Sequence, residues 1–212
     1  MRMRKKPWAV KELETNKFVV KEPSEFKGKW KKAFALDKPV YVELGCGKGR
    51  FISKSAALNP DINFIERQES VAGTAARRLS PEAGNVLLVC GQVEKLEEMF
   101  EPGEIKRIYI NFCDPWPKKK WAKRRLTHTN YLNMYKRLLG ENGEIFFKTD
   151  NMALFEFSIE EFSRNGFIIS NVSLDLHNSL VQGNIMTEYE ERFSEKGMPI
   201  YRCEAYFIGS GS

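Results

Sequence analysis

Short apolar runs rich in β-branched residues alternate along this chain with amphipathic stretches. The apolar runs predict seven strands, over residues 40–44, 62–65, 86–90, 107–111, 143–149, 167–174 and 200–208. The amphipathic stretches predict helices over 49–58, 69–79, 93–100, 129–139 and 154–165, with Thr127 or Thr129 as the cap of the fourth. This alternation predicts a single α/β domain, built on a seven-stranded, mostly parallel sheet with helices on both faces.

Acidic side chains lie at or just after the ends of the first five predicted strands. They are Glu43, Glu66, Glu94, Asp114 and Asp150. In sheets of this class, ligands bind outside the carboxyl ends of the strands. The sequence therefore predicts a ligand site lined by carboxylates at that edge. The polar segment 175–199 between the last two strands is long for a connection, and such loops commonly carry function.

A glycine-rich loop follows the first predicted strand and opens a helix. Glu43 lies two residues before its first glycine, and the glycines are Gly45, Gly47 and Gly49. A dinucleotide loop would place its third glycine at Arg50. The spacing instead favours S-adenosylmethionine (SAM), whose ammonium and sulfonium attract carboxylates. Glu66 is the candidate for the ribose hydroxyls, although a surface acid at the start of a helix is the alternative.

Asp114-Pro115-Trp116-Pro117 follows the fourth predicted strand. The two prolines predict a rigid, extended path that holds Asp114 and Trp116 at the mouth of the site. Six of the nine residues from 117 to 125 are basic, and Trp121 lies among them. Such a cluster suits RNA, because cations meet phosphates and a ring can stack on a base. A solvated loop or a targeting-like basic run is the alternative.

Composition adds few constraints. The chain has 212 residues and a formal net charge of +6, with 42% hydrophobic and 29% charged residues, as in globular proteins. It contains no apolar run long enough for a transmembrane helix, and no apolar core follows its basic N-terminal arm. Its four cysteines lack zinc-type spacing. We expect a cytoplasmic, metal-free domain over 1–208 with no membrane partner, and residues 209–212 resemble a linker or tag remnant. The sequence does not indicate an oligomeric state.

Several of these motifs together resemble the bacterial tRNA (guanine-N7-)-methyltransferases, which have the Rossmann-like class I SAM-dependent fold. The matching segments are 1–4, 6–8, 43–49, 111–119, 123–127, 147–151, 187–190 and 194–201. The resemblance implies methylation of a tRNA guanosine at position 46 of the variable loop. It implies SAM contacts by Glu43, Glu66 and Asp114. It implies substrate contacts by Lys118, Asp150, Thr187, Glu188, Tyr189 and Glu190.

The sequence departs from the family pattern at two places. The family usually has two more residues between the second strand and its acid, so Phe64-Ile65-Glu66 is shortened here. After the third strand, the family often has an Asp-Ala pair near adenine. In that region we choose Gln92 for the adenine contact, and Glu94 is the rival.

Guanine N7 has an in-plane lone pair and no proton, so its methylation requires no general base. We therefore assign Asp114, the expected catalytic residue, to positioning and to stabilising the cationic product ring. Asp150 or Glu190 could accept guanine N1–H and N2–H, while the alternatives are a helix cap for Asp150 and a surface salt bridge for Glu190. Lys118 would hold a phosphate or the O6 side. The expected RNA contacts are Lys119, Lys120, Lys123, Arg124 and Arg125.

The two histidines have no partner at metal-ligand spacing. We interpret His128 as structural and leave His177 open. Two rival functions remain. A nucleotide-dependent oxidoreductase is disfavoured by the early third glycine. A non-catalytic RNA-binding protein is disfavoured by the intact glycine loop and Asp114.

Overall fold

The computed structural model describes residues 15–34, 37–45, 49–68, 79 and 84–207, with only the backbone of Gln68. Four features of the sequence lie outside the described residues: the basic N-terminal arm, Gly47, residues 69–78 of the predicted second helix, and the 209–212 tail.

Within the described residues the sheet has eight strands, whereas the sequence predicted seven. Their order is β1-β4-β3-β2-β5-β6-β8-β7, and every pairing is parallel except β6 with β8 and β8 with β7. The unpredicted strand is β1, only two residues long, which pairs with the outer edge of β4 and is too short to show alternation. The strands are β1 Val19–Val20, β2 Val40–Leu44, β3 Asn63–Gln68, β4 Val86–Cys90, β5 Ile105–Asn111, β6 Leu139–Thr149, β7 Ile168–Ser173 and β8 Tyr201–Tyr206.

Six α-helices connect the described strands, and short 3-10 turns add to them. They are α1 Trp30–Ala33, α2 Arg50–Leu58, α3 Leu96–Met99, α4 Thr129–Leu138, α5 Met152–Arg164 and α6 Glu188–Ser194. The 3-10 turns are Pro23–Phe26, Val93–Lys95, Lys119–Arg124 and Leu176–Asn178. Two expectations were wrong. The predicted helix over 93–100 is a 3-10 turn followed by one α-helical turn, and the predicted loop 175–199 contains α6.

The cap of α4 also differs from the prediction. His128 is the N-cap, and its Nδ1 accepts a hydrogen bond from the Asn130 backbone N–H at 3.2 Å. The two threonines are used elsewhere: Thr127 Oγ1 lies 2.7 Å from Ser158 Oγ, and Thr129 Oγ1 donates to Glu161 at 2.7 Å. Tertiary partners therefore take the hydroxyls that local sequence favours as caps.

Apolar side chains cover both faces of the sheet, with helices packed on each. On one face, buried residues such as Val42, Ile108 and Phe147 pack with side chains of α4 and α5. On the other face, Phe64 and Leu88 pack with residues of α2. The chain leaves β2 toward β3 on one side and returns to β5 on the other. A crevice at the carboxyl ends of β2 and β5 is the usual ligand position in such a sheet.

Candidate active site

A buried acid lies at the carboxyl end of the central strands. Glu43, near the end of β2, is 3% exposed, and its Oε1 accepts a hydrogen bond of 3.0 Å from Asn111 Nδ2 at the end of β5. Burial raises the pKa of Glu43 to about 7, although the Asn111 hydrogen bond and the charge of Lys148 oppose the rise. A cation bound next to Glu43 would favour its ionised carboxylate, so Glu43 is suited to binding a positively charged ligand.

A cavity of about 620 Å³ opens beside this acid, in the size range of roughly 300–1,000 Å³ typical of small-molecule sites. A Cβ placed on Gly45 would lie 3.6 Å from Glu43 Oε1, so Gly45 connects the buried acid to the cavity wall. The cavity brings Gly45 and Asp114 together. Its lining residues are Leu44, Gly45, Arg67, Val93, Glu94, Cys113, Asp114, Trp116, Arg124, Leu126 and Tyr131.

Of the two candidates for the adenine contact, Glu94 lines this cavity. Its Oε1 accepts a 2.5 Å hydrogen bond from Tyr131 OH, and this bond lowers the pKa of Glu94. Gln92 is exposed and is not among the lining residues. The geometry therefore favours Glu94 as an acceptor for an amino group.

Glu66 lies within β3 rather than at its end. Its side chain is fully buried, and the residue pairs with Glu43 across the strands, while β3 continues for two residues to Gln68. Glu66 therefore lies at the same level of the sheet as Glu43, one residue before the end of β2 and two residues before the end of β3. The next residue, Arg67, is 6% exposed and lines the cavity. The shortened sequence thus places an acid inside the sheet and a guanidinium at the pocket.

The segment after β5 has an unusual backbone on either side of Asp114. Phe112 and Trp116 have φ angles of 52° and 42°, in the left-handed region that bulky residues rarely adopt. Arg125 supports the turn, because its guanidinium donates to Pro115 O at 3.2 Å and to Trp116 O at 3.1 Å. Such strain usually persists at functional sites, where surrounding contacts fix it. Asp114 itself is exposed at the cavity.

The basic segment forms a 3-10 turn beside the cavity. The Trp116 and Trp121 rings meet edge to face at 5.8 Å, and the Arg124 guanidinium lies 4.8 Å from the Trp116 ring centre. Four predicted RNA contacts are exposed, and the fifth, Arg125, is half-buried because it supports the turn described above. Lys118 is exposed too, with its ammonium 5.0 Å from the Trp121 ring. The four exposed RNA candidates are Lys119, Lys120, Lys123 and Arg124.

The Thr187–Glu190 segment forms the start of α6 through a capping box. Glu190 N donates to Thr187 Oγ1 at 3.0 Å, and Thr187 N donates to Glu190 Oε2 at 3.3 Å. Glu190 is fully buried, and Lys148 Nζ donates to its Oε2 at 2.7 Å. The alternative interpretation of Glu190 as a surface salt bridge is therefore wrong, since this ion pair lies inside the protein. His177 Nε2 lies 3.4 Å from Glu190 Oε1, which gives that histidine a place in the same cluster.

Tyr189 and Asp150 lie together at the surface. Tyr189 OH donates to Asp150 Oδ2 at 3.3 Å, and its ring centre lies 5.0 Å from that of Phe112. Asp150 does not cap α5, because Asn151 does so by accepting from Leu154 N at 2.8 Å. A carboxylate beside two rings is an arrangement that can hold a planar base with donors on its edge. Glu188, half-buried, begins α6 beside them.

Sequence reasoning missed Lys148, Asn111 and Tyr131 as parts of the site. Lys148 was the most detectable, since a lysine within a buried apolar strand is rarely tolerated without a partner. The described residues contain no cluster of three or more side chains that could hold a metal ion. Within the same residues, no helix has the length and apolar character needed to cross a membrane.

Comparison with known proteins matches residues 37–203 to the family model "Methyltransf_4: Putative methyltransferase". The chain is 51% identical over 208 residues to a tRNA (guanine-N(7)-)-methyltransferase of Bacillus subtilis (strain 168), covering 96% of this chain and 98% of that protein. It is 52% identical over 211 residues to the protein of the same name from Listeria monocytogenes serotype 4b (strain F2365), covering 98% and 99%. A solved structure described as "Structure of an Antibiotic Related Methyltransferase" shares the fold, with a TM-score of 0.56 and 20% identity over 81% of this chain and 88% of that one.

Proposed function

The chain belongs to the tRNA (guanine-N(7)-)-methyltransferase family, and from this premise we propose that it methylates guanine N7 in tRNA, at position 46 of the variable loop, with SAM as donor. One observation carries the proposal. A single crevice at the carboxyl ends of β2 and β5 joins the buried acid Glu43, through Gly45, to the cavity that Asp114 lines. The reaction would take place in the cytoplasm, where tRNA is available.

The residues present fit SAM at most of its groups. Glu43 suits the donor's ammonium, because a buried carboxylate with a raised pKa gains most from a cation. Glu94 suits the adenine amino group, and Gly45 allows the donor to approach the backbone. Bound SAM supplies an electrophilic methyl group on its sulfonium. Glu66, level with Glu43 in the sheet, stays the candidate for the ribose hydroxyls.

Asp114 acts on charge and alignment in this proposal. Guanine N7 attacks through a lone pair already free of a proton, so the site needs alignment more than a base. The carboxylate of Asp114, held at the cavity by the segment between Phe112 and Trp116, stabilises positive charge as it develops on the ring. Proton abstraction has no part in the step.

Guanine recognition falls to the surface beside this carboxylate. Asp150 can accept from guanine N1–H and N2–H, which adenine does not present in that pattern. The adjoining Phe112 and Tyr189 rings, whose centres lie 5.0 Å apart, can offer an apolar wall to a base. Because Glu190 is buried and bonded to Lys148, we assign it to holding the segment rather than to touching guanine. Lys118 is placed to meet a phosphate or O6.

The rest of the tRNA would lie on the basic turn. Lys119, Lys120, Lys123 and Arg124 are exposed next to the cavity and can neutralise phosphates. Arg125 contributes mainly by fixing the Pro115–Trp116 backbone, from which the tryptophan ring projects.

The test uses two tRNA transcripts that differ only in having guanine or adenine at position 46. Each is incubated with the protein and methyl-labelled SAM, then digested and analysed by mass spectrometry of its nucleosides. We expect 7-methylguanosine from the guanine transcript and no label in the adenine transcript. Label on another base or position, or no label with either transcript, would contradict the proposal. An Asp114→Asn variant serves as the matched inactive control.

A further inference from the structure

Lys148 uses its ammonium group entirely on the segment that leads into α6. Near the end of β6 and 5% exposed, it donates from Nζ to Glu190 Oε2 at 2.7 Å, Ile185 O at 3.0 Å and Asn184 Oδ1 at 3.1 Å. Asn184 Nδ2 also donates to Glu190 Oε1 at 2.6 Å. An ammonium has three donors, so this one has no proton left for a ligand. Lys148 therefore holds the Thr187–Glu190 segment in position and does not contact the base. This segment and Asp150 form the acceptor side of the site, where the tRNA base would bind.

The same ammonium also affects Glu43 on the donor side of the site, where SAM would bind. The positive charge of Lys148 lowers the pKa of Glu43, and the charge of Glu43 in turn raises the pKa of Lys148 against the effect of burial. The strands support this proximity, because Lys148 pairs in register with Asn111, whose Nδ2 donates to Glu43 Oε1. One buried cation is thus hydrogen-bonded to Glu190 and acts through its charge on Glu43.

We propose that Lys148 is a positioning residue that couples binding of the methyl donor at Glu43 to the local stability of the Thr187–Glu190 segment. The inference rests on the proposed function, since it requires a cationic donor group at Glu43. When the donor's ammonium reaches Glu43, it takes over the neutralisation of that carboxylate. The donor's positive charge also repels the Lys148 ammonium toward Glu190, which tightens the segment that meets tRNA.

A second ion pair joins the donor and acceptor sides of the site, but it is weaker than the Lys148–Glu190 pair. Arg50, the first residue of α2 after the glycine loop, forms a bidentate ion pair with Glu191 of α6, with one arm at 3.0 Å. The two side chains are 31% and 41% exposed, against 6% and 0% for Lys148 and Glu190. Exposed pairs contribute little because water screens them. The buried pair is therefore the main carrier of the coupling.

The experiment measures a thermodynamic cycle. Affinity for S-adenosylhomocysteine (SAH), which retains the ammonium, is measured with and without saturating tRNA, and affinity for tRNA with and without SAH. In the unaltered protein we expect each ligand to tighten the other about fivefold, at the low end of ordinary coupling. The double variant K148M/E190Q removes both charges of the pair, and Glu43, whose pKa is already raised to about 7, can take up a proton in place of its cation. We expect its coupling to fall to about one while SAH binding is kept or strengthened.

Hydrogen exchange gives a readout independent of affinity. Added SAH should slow exchange of the amides from 185 to 191 in the unaltered protein and leave them unchanged in the double variant. The control is Lys106→Met, which removes a strand lysine whose ammonium donates to Glu141 O at 2.8 Å, at the opposite end of β5. This variant should behave like the unaltered protein. Coupling that survives in K148M/E190Q would overturn the inference, as would its absence from an unaltered protein that binds both ligands. Failure of the unaltered protein to bind SAH would instead refute the proposed function.

Discussion

The two halves of the crevice differ in how far they are already assembled. On the acceptor side, Glu190 receives hydrogen bonds from Lys148, Asn184 and Thr187, and the segment that carries it is held without a ligand. On the donor side, Glu43 receives one hydrogen bond, from Asn111, among the described residues, and the adjoining residues Leu44 and Gly45 line the cavity. Burial without full compensation raises its pKa. The comparison suggests that the base-binding half is preformed, whereas the donor-binding half gains its missing interactions from the ligand.

The largest expected effect is a loss of stability when the buried ion pair of the acceptor side is broken. Lys148→Met leaves Glu190 buried without its cation, and loss of one partner of a buried pair costs about 3–5 kcal/mol. We expect the free energy of unfolding, measured by urea denaturation, to fall by that amount. The double variant K148M/E190Q should recover most of the loss. Equal stability of the single variant and the unaltered protein would show that the acceptor half does not depend on this pair.

Asp114 lines the cavity from an exposed position, so its replacement should affect chemistry rather than folding. Asp114→Asn should lower kcat by about 10²–10³-fold, the usual cost of losing one group that stabilises transition-state charge. Because the residue is exposed, the melting temperature should stay within about a degree or two. Single-turnover kinetics with labelled SAM measure the first effect, and calorimetry the second. A folded variant with near-normal kcat would remove Asp114 from the mechanism.

The basic turn extends the acceptor half toward the rest of the tRNA. Changing Lys119, Lys120, Lys123 and Arg124 together to glutamine should weaken tRNA binding on the order of 10²-fold at low salt. The plot of log affinity against log salt concentration should become shallower by roughly three units, because each lost phosphate contact contributes about 0.7–0.9. Arg125 is left unchanged because it supports the Pro115–Trp116 turn. An unchanged salt slope would place the tRNA elsewhere on the surface.

The donor half predicts a dependence on pH. Glu43 has its pKa raised from 4.5 to about 7, so in the free protein the carboxyl is largely protonated at pH 6 and ionised at pH 8. A cationic donor prefers the ionised form, and SAH affinity should rise about tenfold between these values. The stability of the free protein changes in the opposite direction, because a raised pKa contributes stability that is lost as pH rises through about 7. Glu43→Gln should flatten both profiles, as measured by calorimetric titration and by denaturation.

The same two halves explain what the sequence could and could not predict. Strands β2 and β5 were predictable because each is a buried, nearly continuous apolar run, and the acids at their ends followed from the sheet class. Helix α6 was not, although Thr187 and Glu190 have capping-box spacing, because Glu190 is held by Lys148 from a strand some forty residues earlier. His128 displaced the expected threonine caps for the same reason, since Ser158 and Glu161 of α5 engage Thr127 and Thr129. At both positions, the local sequence pattern failed to predict the structure because a contact with a residue distant in sequence determined it.

Strand β3 shows a different limit. The apolar run ends at Ile65, so the sequence predicted a strand over 62–65 with Glu66 just outside it. The strand in fact continues through Glu66 and Arg67, because its register with β2 and β4 supplies hydrogen bonds irrespective of side-chain polarity. Backbone pairing with β2 and β4 therefore extends β3 through these polar residues. The hydrophobic pattern of residues 62–68 does not indicate this extension.

The smallest expected effect is on SAH affinity, and it distinguishes the two candidates for the adenine contact on the donor side. Glu94 lines the cavity and accepts from Tyr131 OH, whereas Gln92 is exposed outside it. Glu94→Gln keeps the size of the side chain but makes it a weaker acceptor for the adenine amino group. We expect a loss of SAH affinity of about five- to tenfold, in line with about 1 kcal/mol for one hydrogen bond. Gln92→Ala should change affinity less than twofold. Calorimetric titration of both variants with SAH decides the matter, because a larger loss for Gln92→Ala would move adenine away from Tyr131 and require a different orientation of the donor in the cavity.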